Sequence, residues 1–100
     1  MNQVELLEAA DRLDRLAART TPGDWRAAGL LATRPEVIAH RGGGTEHVAE
    51  ARAGSAAWIT ALSPAVAPPL ADLLRAVAEG GPTGVAAAEL ARVLLERLPR

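Results

Sequence analysis

The stretch Glu36-Val37-Ile38-Ala39-His40-Arg41-Gly42-Gly43-Gly44-Thr45-Glu46-His47-Val48-Ala49-Glu50 decides the fold class. Two short pieces of mixed apolar and polar residues, Glu36 to His40 and Glu46 to Glu50, flank Arg41 to Thr45, whose glycines can take the positive φ angles of a hairpin loop. That pattern is an antiparallel hairpin. Two registers compete: one sets Ile38 opposite Val48, its neighbour sets His40 opposite His47, and one step moves each side chain to another partner or face. Upstream, Trp25-Arg26-Ala27 reads as a third short strand. A sheet this small must rest on helices to be stable.

Helical periodicity lies on both sides. From Val4 to Arg19, Leu6, Ala9, Ala10, Leu13, Leu16 and Ala17 fall on one stripe. Glu8 precedes Arg12, and Asp11 precedes Arg15, by four residues, the favourable orientation for helix ion pairs. Thr20-Thr21-Pro22-Gly23-Asp24 ends that helix, because Pro22 restricts Thr21 to extended geometry and Gly23 offers a turn. After the sheet, Ala53 to Leu62 is a short helix with Ala57, Trp58, Ala61 and Leu62 on one side. Ser63-Pro64 carries a restart signal, a favoured cap residue before a proline suited to the first helical position. Pro68 and Pro69 then demand a kink or a late start. Leu70, Leu73, Leu74 and Val77 form an apolar face that Gly80-Gly81-Pro82-Thr83-Gly84 ends, and a last helix from Val85 to Leu98 aligns Ala86, Leu90, Val93, Leu94 and Leu98. The expected architecture is α+β: a two- or three-stranded antiparallel sheet flanked by an N-terminal helix and two or three C-terminal helices. Residues 1–79 are read as one domain, 80–84 as a turn, and 85–100 as a helix packed on that domain or used for association.

Composition bounds the function. Of the 49% apolar residues, 23 are Ala and 26 are larger, so the core is thin and burial by a partner is expected. With no cysteine there is no disulfide, thiolate nucleophile or cysteine-zinc site. No run of 18 apolar residues suggests a membrane span, and Met1-Asn2-Gln3 leads into an acidic segment, so a cytoplasmic location is expected. Eleven basic and twelve acidic residues give a net charge of −1, spread along the chain, which argues against nucleic-acid binding and favours self-association.

Few residues invite chemistry. His40 and His47, with Glu50, Glu36 or Glu46, are weak candidates for a divalent metal, but they are equally ordinary polar residues of a hairpin. No P-loop exists, because Gly42-Gly43-Gly44-Thr45 lacks the lysine and the following helix. Ser55 and Ser63 lie outside any nucleophile elbow. No cofactor is expected. Trp25 and Trp58 hold all the aromatic area. Burial in the core is the first reading for both, and exposure as interface anchors is the second.

Thr21-Pro22-Gly23-Asp24-Trp25, then His47-Val48-Ala49-Glu50-Ala51, then Ala56-Ala57-Trp58-Ile59-Thr60-Ala61-Leu62-Ser63-Pro64-Ala65-Val66 leading into Leu70-Ala71-Asp72-Leu73-Leu74 resembles the Ead-like family of small phage and prophage proteins and related actinobacterial proteins. Asp24 and the Pro68-Pro69 pair depart from that family's usual pattern. The resemblance implies an accessory phage or mobile-element protein and transfers no catalytic residue. The function expected is a non-enzymatic protein–protein interaction module, binding itself or another protein, with Trp25, Trp58, Leu70, Leu73, Leu74, Val77, Leu90, Val93, Leu94 and Leu98 as its surface. One alternative is a small catalytic or ligand-binding domain using His40, His47 and Glu50. Another, suggested only by the resemblance, is an inhibitor of a nuclease or host-defence enzyme.

Overall fold

The computed structural model describes residues 3–29 and 35–98, so the last two residues of the expected C-terminal segment lie outside the described ones. In chain order the elements are α1 (Gln3–Ala17), β1 (Asp24–Ala28), β2 (Glu36–Arg41), β3 (Gly44–Glu50), α2 (Ala53–Ala61), a 3-10 turn (Pro64–Val66), α3 (Ala67–Glu79) and α4 (Gly84–Arg97). The fold is α+β, with one three-stranded antiparallel sheet in the order β1-β2-β3. The elements fall into two compact units. One contains α1, the 3-10 turn, α3 and α4 up to Glu96; the other contains the sheet, α2 and Arg97.

In the sheet unit the hairpin closes on two residues. Gly42 and Gly43 both have positive φ, 57° and 83°, as the tight turn that matches strand twist requires, so Gly44 already belongs to β3. The short turn sets His40 opposite Thr45 and Ile38 opposite His47. Further along, Val37 pairs with Ala49, so Val48 is the extra residue of a bulge. Neither expected pairing therefore forms. Ile38 would meet Val48 only without the bulge, and His40 would meet His47 only if the turn moved from Gly42-Gly43 to Gly43-Gly44 or widened.

Alternation along the strands puts Trp25, Ala27, Val37 and Ala39 on one face. Val37 and Ala39 are buried there, and α2 packs over β1 and β2 through its own buried Ala56 and Ala61. The opposite face carries Asp24, Arg26, Glu36, Ile38, His40 and His47.

Arg97 fastens this unit. Its guanidinium donates to Thr60 O at 2.8 Å, to Trp25 O at 2.9 Å and to Asp24 Oδ1 at 3.1 Å, and its side chain is 14% exposed. Thr60 O is one of the carbonyls that the end of α2 leaves unpaired, and β1 is an edge strand, so the arginine fork serves backbone acceptors that secondary structure leaves over. Asp24 also accepts from Arg26 Nε at 2.8 Å. The hydrogen bond from Arg26, then that from Arg97, outweighs desolvation and holds the Asp24 carboxyl below the usual carboxylate range. A carboxyl depressed in the folded state adds stability that is present above its unfolded pKa and is lost as the pH falls through the lower folded value. Thermal melts should therefore show stability falling below about pH 4, with Asp24→Asn flattening that dependence and a parallel acid profile contradicting it.

In the helical unit α1 packs on α3. Leu6 and Ala10 are buried and Leu13 and Ala17 half-buried, so the contact face follows the 6-10-13-17 line. Ala9 and Leu16, expected on the same stripe, are exposed, because they lie at the edge of a face narrower than the periodicity suggested. Glu8 pairs with Arg12 at 2.7 Å, as the spacing implies. Asp11 instead accepts from Arg75 of α3 at 3.1 Å, beside Asp14 at 2.6 Å, so these charges bridge helices.

The two prolines fix where α3 begins. Pro68 and Pro69 occupy its first turn, where a missing N–H costs nothing, and the chain reaches them through the 3-10 turn. Ser63 is buried ahead of that turn, and the residue capping α3 is Val66, which makes no side-chain cap hydrogen bond. The expected capping by Ser63 is thus displaced by the late start. The run Ala53–Glu79 is long and apolar enough to pass as a membrane span, which the sequence alone did not suggest. Its helix is interrupted from Leu62 to Val66, however, and Ala56, Ala61, Val66, Ala67 and Ala71 are buried.

Ala10 and Ala71 are both fully buried where α1 packs on α3. A larger side chain there must push the helices apart. Ala71→Leu should cost about 1–3 kcal/mol, measured as a lower denaturant midpoint at unchanged slope; an unchanged midpoint would show spare room at that site.

Candidate interaction surface

The small core leaves large side chains outside. On α2, Ala56 and Ala61 face the sheet, which turns Trp58 and Leu62 to the far side; Trp58 is 68% exposed. That corrects the first reading of Trp58 as core. Bulk does not choose the buried face of α2, because only alanine lets the helix lie close on β1 and β2. Trp25 is half-buried, and its indole Nε1 donates to Thr21 O at 2.9 Å, so the turn before β1 satisfies its polar end.

α4 buries none of its residues. Leu90, Val93 and Leu94 are half-buried and Leu98 is exposed. Its most exposed large side chains are two that periodicity did not single out, Val85 at 88% and Leu95 at 74%. The signal was available: Leu95 stands beside Leu94, and only one of two adjacent leucines can share a face with Leu90. Three of the four charges on this helix are collected on one side, where Arg92 donates to Glu89 at 2.6 Å and also pairs with Glu96; the fourth, Arg97, makes the bonds to Asp24, Trp25 and Thr60. On α3, Leu70, Leu73 and Leu74 are half-buried and Val77 is exposed.

Of the candidates for chemistry, His47 and Glu36 meet. His47 Nδ1 lies 2.7 Å from Glu36 Oε2 across the hairpin, His40 stands opposite Thr45, and Glu50 opposite Glu36. Among the described residues no three His, Asp or Glu side chains are grouped to hold a metal ion. A shallow pocket of about 230 Å3 lies at the hairpin end, lined by Pro22, Ala39, Arg41, Gly44, Thr45 and Glu46, and neither histidine lines it. The surface offers apolar area and ion pairs, some closed within one helix, as Arg92 with Glu89 and Glu96, and some between elements, as Arg75 with Asp11 and Asp14.

No protein-family model matches the chain, and neither does any curated protein or solved structure.

Proposed function

We propose that the protein is a non-enzymatic interaction module whose exposed apolar side chains take up another polypeptide, a second copy included. The observation that carries this reading is α4, a helix of 14 residues of which none is buried. A helix that short is marginal in water by itself, and helices in proteins draw most of their stability from an amphipathic face packed against something else. α4 has such a face, along which Leu90, Val93 and Leu94 are only half-buried. Trp58 and Leu62 on α2 add a second exposed apolar pair, and Trp is a favoured interface anchor. A net charge of −1 opposes association only weakly.

Sedimentation velocity from micromolar to sub-millimolar protein, on the wild type and on Trp58→Ala and Leu95→Ala, tests the reading. The wild type should show an average mass that rises above the monomer with concentration, and at least one variant should reduce it. A monomer at every concentration, with both variants unchanged, would refute self-association as the use of this surface.

A further inference from the structure

The sheet has a hollow in its side-chain layer at the end of the hairpin. On the face that carries Val37 and Ala39, Arg41 stands opposite Gly44, and Ala39 stands opposite Glu46. Each long charged side chain thus faces a residue with little or no side chain, and the space left over is the pocket of about 230 Å3. Pro22 walls another side of it. Extending the register of β1 on β2 by one residue sets Gly23 beside Arg41, and the missing Cβ of Gly23 lets this turn lie against His40 O and Arg41 Cβ. Gly44 has no positive φ, and an added Cβ would meet only Arg41 O at 3.6 Å, so the backbone does not call for glycine there. Arg41 and Glu46 are diagonal neighbours on this face, about 7–8 Å apart, a distance that long side chains can span. Yet among the described residues neither makes an ion pair or a side-chain hydrogen bond, and both border the pocket.

A lone anion in this hollow is attracted by Arg41 and repelled by Glu46, and a lone cation the reverse. A molecule that carries both charges gains from each. At about 30 Å3 per water, the space suits roughly seven or eight non-hydrogen atoms, less than the drug-sized ligands of pockets above about 300 Å3. We propose that the hairpin pocket binds a free α-amino acid with a small side chain. Its carboxylate takes the planar fork of Arg41, its ammonium donates to the Glu46 carboxylate, and its side chain lies over Ala39 and Gly44. Both protein charges are exposed, so the affinity is low, on the order of millimolar. The site is independent of the interaction reading, because none of its residues belongs to the surface named there.

Two-dimensional amide NMR of the whole chain, titrated with L-alanine at neutral pH and constant ionic strength, tests the proposal. The amides of Gly44, Thr45 and Glu46 should shift along a saturable curve. Acetate alone and methylammonium alone should each bind roughly fivefold more weakly than alanine, and Arg41→Gln and Glu46→Gln should each weaken alanine by roughly fivefold. Gly44→Val, whose side chain suits a strand and fills the hollow, should abolish the shifts with an unchanged circular dichroism spectrum. No saturation by alanine up to about 100 mM would overturn the site. Acetate binding as tightly as alanine, with Glu46→Gln without effect, would also overturn it and reduce the pocket to an anion contact at Arg41.

Discussion

Arg97→Ala should lower the stability of the chain by about 2–4 kcal/mol, a drop in Tm of roughly 10–20 °C. The arginine donates to three acceptors from two elements, Asp24 and Trp25 of β1 and Thr60 of α2. Removing it leaves two backbone carbonyls to find water in a part-buried place and deprives Asp24 of one of its two arginines. Arg97→Lys keeps the charge but cannot span the three acceptors with a planar fork, so it should recover only part of the loss. Full recovery by lysine would show that charge alone matters, and no loss with alanine would show that the fork is dispensable.

Gly23→Ala should be comparably damaging, at about 2–4 kcal/mol. Gly23 has φ 115°, and an added Cβ would stand 2.7 Å from His40 O and 3.1 Å from His40 C. Those are backbone atoms of β2, so relief requires moving the start of β1 away from its partner strand. Gly42 and Gly43 provide the control. They too have positive φ, but nothing lies within 4 Å of an added Cβ, so alanine there should cost only the backbone strain, about 1–2 kcal/mol each. Equal losses at the three sites would mean that the close approach to His40 contributes nothing.

The strand-loop-strand pattern around Gly42 and Gly43 was legible because glycine pairs announce tight turns through φ alone. Register was not legible, because the bulge at Val48 depends on how β3 sits against β2. The late start of α3 could be read from Pro68 and Pro69, since a missing N–H is a local property. Ser63 looked like a cap by the same local logic, yet the helix begins four residues later. Arg97 gave no signal: its partners lie 37, 72 and 73 residues away in sequence. Trp58 misled for a related reason. Periodicity finds an apolar side of a helix, whereas the buried side of α2 is the one whose alanines fit the sheet.

The interaction reading depends on α4 being a helix that its own chain covers only in part. Hydrogen exchange of the α4 amides, followed from dilute to concentrated protein with α1 and α3 as internal reference, measures that directly. Weak protection of α4 in dilute protein, rising with concentration while α1 and α3 stay constant, is the predicted result. Protection of α4 equal to that of α3 in the dilute monomer would contradict it.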